Sequence, residues 1–217
     1  ALAEAFPVAR ETFEEVDDAL GQKLSRLMFE GPEEELRLTE NAQPALMAVS
    51  LAVTRVLERE GNLHLADKAA YVAGHSLGEY SALAAAGSLG LADAARLLRR
   101  RGQAMQAAVP VGEGAMAAVL GLELAEAQAV AEEAAAGEVC QAANDNAPGQ
   151  VVLSGHASAI ERAVEIAKTK GAKRAILLPV SAPFHCSLMA PAADVMAEAL
   201  GNVTVKMPAV PLVANVT

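Results

Sequence analysis

Tyr71-Val-Ala-Gly-His-Ser-Leu-Gly-Glu-Tyr80 joins a short apolar run to an alanine-rich helical stretch through Gly74-His-Ser-Leu-Gly78. The spacing is G-x-S-x-G, the pattern of a nucleophile elbow, in which a serine sits on a sharp strand-to-helix turn. Gly74 and Gly78 would remove Cβ atoms where the backbone reverses, leaving the Ser76 hydroxyl exposed. The helix that follows would aim free N–H groups and the positive end of its dipole at a developing oxyanion. A small-residue turn capping an ordinary helix could carry the same pentapeptide, so the surrounding chain must discriminate.

Upstream, Pro7 suits the first turn of a helix running to about Leu20, with Gly21 as its stop and Phe6, Phe13 and Val16 as its buried stripe. Gly31-Pro32-Glu33 is a further helix start. Thr39 to Glu60 carries Leu46, Val49, Val53, Val56 and Leu57 at helical spacing, and Gly61 is the expected end. Ala70 to Ala73 then reads as a strand, followed by a helix to about Ala86 closed by Gly87, and another from Leu91 to Ala108.

From Gly114 onward strands and helices alternate in two similar halves. Ala115 to Leu122, Leu124 to Ala136 and Glu138 to Ala143 read as strand, helix, strand; Gln150 to Ser154, Ala157 to Lys170 and Arg174 to Val180 repeat the pattern. This is β-α-β twice over, the order of an inserted ferredoxin-like lobe. Asn144, Asn146 and Pro148-Gly149 read as the turn between the halves. The chain returns through a helix at Pro191 to Leu200 to a β-rich end at Val203 to Val216. The expected fold is therefore α/β, with a large subdomain of residues 1–112 and 187–217 and a small one of residues 113–186.

Composition sets bounds on function. The chain has 217 residues, 53% hydrophobic and 20% charged, with a formal net charge of −10. That charge argues against a general nucleic-acid binder, which needs a basic face for phosphates. Cys140 and Cys186 lie far apart with no C-x-x-C and no metal-ligand spacing, as expected of reduced thiols without a metal site. No stretch approaches the roughly 20 apolar residues that span a bilayer, and a cytoplasmic, non-membrane protein is expected.

A serine nucleophile needs a base, and imidazole serves near neutral pH. His75 adjoins Ser76, and on extended backbone adjacent side chains point apart. His64 and His156 read as loop or capping residues. His185, in Ser181-Ala-Pro-Phe-His-Cys-Ser-Leu-Met189, falls at the expected junction of lobe and body, although a buried structural histidine would fit the same place. Arg101 falls on the apolar stripe Ala94, Leu98, Met105 and Ala108, whereas Arg96, Arg99 and Arg100 belong to the opposite face. An inward guanidinium must find an anion, either a ligand carboxylate, whose geometry its fork matches, or an internal acidic residue. Lys168, Lys170, Lys173 and Arg174 read as a solvated basic face.

Gly74-His-Ser-Leu-Gly-Glu-Tyr80, Arg101-Gly-Gln-Ala-Met-Gln106, Gly114-Ala-Met116, Asn146-Ala-Pro-Gly-Gln-Val151, Ser181-Ala-Pro-Phe-His185 and Gln43-Pro44 together resemble the malonyl-CoA:acyl carrier protein transacylases of bacterial type II fatty acid synthesis. The resemblance implies a hydrolase-like α/β body with a parallel sheet beside the ferredoxin-like lobe. It implies Ser76 as the acylated serine, His185 as general acid/base and Arg101 as the grip on the malonyl carboxylate. Leu77 would supply an oxyanion N–H, and Leu77, Phe184 and Gln43 would line the substrate site. It also implies malonyl-CoA and acyl carrier protein as partners, with the CoA thioester as substrate and neither cofactor nor metal. Members carry a glycine- and glutamine-rich segment ahead of the matched region and a further segment beyond it, so this chain is expected to be part of a longer protein. Two rivals remain: a serine esterase or thioesterase using Ser76, Asp145 and His185, and a non-catalytic carrier-protein-binding fragment.

Overall fold

The computed structural model describes residues 1–180 and 182–216. The chain divides into two compact units, Ala1–Gln103 with Met196–Thr217, and Ala104–Val195.

The first unit is mostly helical. α1 (Leu2–Ala5) and α2 (Pro7–Leu20) open it; Pro7 takes the first turn, where a missing N–H is no loss, and Gly21 closes α2 at φ 59. Short α3 (Leu24–Glu30) and α4 (Glu33–Arg37) precede the long α5 (Thr39–Gly61). α6 (Leu65–Lys68), β1 (Val72–Ala73), α7 (Gly78–Ala85) and α8 (Leu91–Ala108) follow. Phe13, Val16, Leu24, Met47, Leu51 and Leu98 are buried together in the core. Asp17, buried at the end of α2, accepts the Ser25 N–H at 2.8 Å and the Ser25 hydroxyl at 2.7 Å, satisfying a free donor in the first turn of α3.

α5 corrects the expected stripe. Its buried face is Ala45, Met47, Ala48, Leu51 and Ala52, while Leu46 is 55% and Leu57 47% exposed, with Val49 and Val53 also exposed. Apolar side chains populate two faces of this helix, and close packing against α2 selects the face bearing small residues. Its end is set by Asn62, left-handed at φ 51, rather than by Gly61.

The second unit is a four-stranded antiparallel sheet with two helices. β2 (Gly114–Leu120), α9 (Leu124–Ala135), β3 (Cys140–Ala147), β4 (Gln150–His156), α10 (Ala157–Thr169) and β5 (Arg174–Leu177) follow in order, and the strands lie β3-β4-β2-β5. Alternation puts Ala117, Val119, Val151, Leu153 and Ala175 into one core with Val130 and Ile160 of the helices. Asn144 and Asn146, expected in a turn, lie in β3: Asn144 pairs with Val152, and two register shifts absorb the extra residues. Ladder pairing has overridden the turn preference of asparagine. A one-turn 3-10 helix at Ser187–Met189 leads into α11 (Ala190–Gly201).

The expected β-rich end contracts, among the described residues, to β6 (Leu212–Val213). It belongs to the first unit and pairs parallel with β1, Val72 to Leu212 and Ala73 to Val213. The described residues are thus mixed α/β, with a parallel sheet and an antiparallel sheet.

Candidate active site

Between β1 and α7 the chain turns through Gly74-His-Ser-Leu, and Ser76 sits at φ 52, a left-handed conformation rare for a residue with a side chain. Gly74 makes the reversal possible: a Cβ there would lie 2.6 Å from the Glu79 amide nitrogen and overlap the Gly78 carbonyl. The same demand was expected of Gly78, but a Cβ at Gly78 would meet open space. The backbone of Gly78 is what Gly74 packs upon, so one glycine suffices for the close approach. Gly78 N–H donates to His75 O at 2.8 Å and Glu79 N–H to Ser76 O at 3.1 Å. The Leu77 N–H has no acceptor among the described residues and remains available at the head of α7.

One residue that sequence reasoning passed over holds this turn. Asn215, just after β6, accepts the Ser76 N–H through Oδ1 at 2.9 Å and donates through Nδ2 to Gly74 O at 2.6 Å. Glu79 completes the clamp, accepting the Asn215 N–H at 2.9 Å and its Nδ2 at 2.5 Å. The contact spans 139 residues of chain, and only the parallel pairing of β6 with β1 brings it about. No local pattern around Asn215 announces it.

Arg101 reaches the same place from α8. Its Nη2 donates to Ser76 Oγ at 3.1 Å and its Nη1 to Gln43 Oε1 at 2.6 Å, and its guanidinium lies 5.9 Å from the Tyr80 ring centroid. Gln43 is buried and in turn donates to Thr39 Oγ1 at 2.9 Å. Gly102 permits this approach, since a Cβ there would stand 2.6 Å from the Glu40 nitrogen on α5. Burial pushes the Arg101 pKa down, against the opposing pull of Tyr80 and Glu79. Burial likewise raises the Tyr80 phenol, partly offset by Arg101. Among the described residues Arg101 has no carboxylate within ion-pair distance, so the internal acidic partner is not what holds it. Arg99, expected on the solvated face, is instead half-buried and donates to Gln22 Oε1.

Ser76, Leu77, Arg101 and Gln43 therefore stand together in the first unit, and Phe184 and His185 belong to the second. Phe184 is half-buried against Met105 and Met189, and His185 is exposed at φ 60. Ser181, the first residue of that motif, lies outside the described residues. His156 has a structural role, its Nδ1 accepting the Val139 N–H at 2.9 Å. Lys168 and Lys170 are paired with Glu165 and Glu133, consistent with a solvated face. Among the described residues no group of three His, Cys, Asp or Glu side chains could hold a metal, and no helix is long and apolar enough to cross a membrane.

A profile of the family described as acyl transferase domain matches residues 1–217. The malonyl CoA-acyl carrier protein transacylase of Escherichia coli K12 is 50% identical over 99% of this chain and 68% of its own length. Among solved structures, the acyl-carrier-protein-S-malonyltransferase of Bartonella henselae is 61% identical, with a TM-score of 0.96 over 99% of this chain and 68% of that one. A malonyl-transacylase solved in complex with its type II PKS acyl-carrier protein is 46% identical, with a TM-score of 0.95 over 99% of this chain and 68% of its own.

Proposed function

The chain belongs to the acyl transferase family, and from that premise we propose that it transfers the malonyl group of malonyl-CoA to the thiol of acyl carrier protein. The single observation that carries the substrate choice is Arg101: a half-buried cation with neutral partners, beside the hydroxyl that would be acylated. A malonyl group ends in the carboxylate that such a fork is shaped to hold.

In the proposed mechanism Ser76 Oγ attacks the thioester carbon of malonyl-CoA and gives its proton to His185. The Leu77 N–H stabilises the oxyanion, and CoA leaves as a thiol that takes the proton back from the imidazole. The phosphopantetheine thiol of the carrier protein then attacks the malonyl-serine ester, with His185 again taking the proton, and regenerates Ser76. Gln43 holds Arg101 extended toward the acyl group, and Leu77 and Phe184 line the acyl site. Neither metal nor cofactor enters any step. An acyl group without the carboxylate leaves a buried guanidinium unmatched, at a cost on the order of several kcal/mol, so acetyl-CoA is a poor donor.

The finer architecture belongs to the same proposal. The strand order β3-β4-β2-β5 with helices between supports a ferredoxin-like lobe for residues 113–186. The parallel β1–β6 pair and the strained Ser76 between β1 and α7 support a hydrolase-like body, with a nucleophile elbow, for residues 1–112 and 187–217. We place the protein in the cytoplasm, where reduced Cys140 and Cys186 are at home.

The test is steady-state transfer from malonyl-CoA to holo acyl carrier protein at several fixed concentrations of each. Parallel double-reciprocal lines, with negligible release of malonate to water, are the expected outcome. Intersecting lines would exclude the acyl-enzyme route, and malonate release matching CoA release would make the protein a thioesterase.

A further inference from the structure

His185 occupies an unusual position even apart from any role. At φ 60 it is left-handed, and a residue with a side chain stays there only where its neighbours are fixed on both sides. Upstream the fixing is apparent. Pro183 is fully buried, and its ring lies so close to Gly114 that a Cβ on that glycine would overlap it. The Cys186 thiol folds back onto Pro183 O at 3.2 Å.

Downstream, Ser187 begins the short 3-10 helix, and its N–H is one of the donors that a helix start leaves unsatisfied. Cys186, in the capping position, makes no side-chain bond to it. The acceptor comes from the sheet: Gln141 on β3 takes the Ser187 N–H through Oε1 at 2.7 Å. Gln141 is itself fixed, because β3 pairs it with Ser154 on β4.

We infer that Gln141 is a positioning residue for His185: by capping Ser187 it ties the segment after the imidazole to the sheet and keeps His185 in its left-handed conformation. Without the cap the peptide between Cys186 and Ser187 is free to turn, His185 relaxes to a negative φ, and its ring swings away. This rests on the assignment of His185 as the base. The acceptor oxygen on Ser187 N–H, not the bulk of the side chain, is what matters.

The test compares Gln141→Leu, which keeps the bulk and removes the acceptor, with Gln141→Glu, which keeps an acceptor. Gln141→Thr, suited to a strand but too short to reach, guards against misfolding of the leucine variant. In the leucine and threonine variants the rate of serine acylation at saturating malonyl-CoA should fall about tenfold, as a misplaced catalytic group would cause. The half-saturating concentration should stay within about twofold, Ser187 amide exchange should quicken about tenfold, and glutamate should restore both rates. Parent-like acylation, unchanged Ser187 exchange, or failure of glutamate to rescue would each overturn the inference. His185→Ala separates the two assignments: if it acylates at the parent rate, the base assignment falls, while Ser187 exchange, which requires no activity, still decides the tether.

Discussion

A cation on the buried face of a helix is costly unless something compensates it, and Arg101 shows how little compensation this protein provides on its own. Its hydrogen bonds go to two neutral oxygens, one of them on Ser76. Tyr80 and Glu79 favour its charge, but among the described residues no carboxylate pairs with it directly, so the carboxylate of a ligand would supply the ion pair. Arg101→Ala should lower the acylation rate with malonyl-CoA by about 100-fold, the size of a lost charge-assisted bond, and leave the slow rate with acetyl-CoA unchanged. Arg101→Lys should recover little, because a point charge cannot reproduce the fork. Equal losses with both donors, measured by intact mass against time, would show that Arg101 supports the fold rather than the carboxylate. At this scale the sequence was informative where a residue broke a pattern. Arg101 broke an apolar stripe and Ser76 stood between glycines, whereas Asn215 broke nothing nearby, and its partners lie 139 and 141 residues away.

Helix α8 can deliver Arg101 to Gln43 only by passing close to α5, and Gly102 marks the point of approach. A side chain there would run into the backbone of Glu40, which cannot yield as a flexible side chain would. Gly102→Val should destabilise the protein by about 1–3 kcal/mol, as overpacking does, and weaken malonyl selectivity by shifting Arg101. Urea unfolding of parent and variant provides the check; unchanged stability would mean that the helices part without cost. Periodicity revealed that α5 is a helix but not which way it faces, because Leu46, Val49 and Val53 compete with Ala45, Ala48 and Leu51 for the interior. The choice depends on what α2 can pack against, which is information outside the helix. The β-α-β-β-α-β order was readable because each element there has one apolar face and a clear stop. The extra length of β3 was not, since β4 pairs Asn144 against its own preference and the register shift between Asp145 and Ala147 carries Asn146 along within the strand.

For the molecule as a whole, stability and pH are linked through groups whose surroundings change on folding. Burial raises the Cys140 thiol from 9.0 to about 11, slightly opposed by Arg162. The folded state therefore holds this proton more tightly than the unfolded one, and the associated stability is complete below pH 9 and lost as pH rises through about 11. Urea midpoints of the parent should fall over that interval more steeply than those of Cys140→Ala; parallel curves would contradict the burial of the thiol. Below pH 9 the same thiol should resist alkylation in the folded protein.

The central claim is that Ser76 carries the malonyl group between two thiols, and intact-mass spectrometry of the protein mixed with malonyl-CoA tests it most directly. The account predicts one malonyl adduct, mapping to Ser76, absent from Ser76→Ala and discharged when holo acyl carrier protein is added. An adduct that persists in Ser76→Ala, or transfer to the carrier protein with no adduct on Ser76, would contradict it.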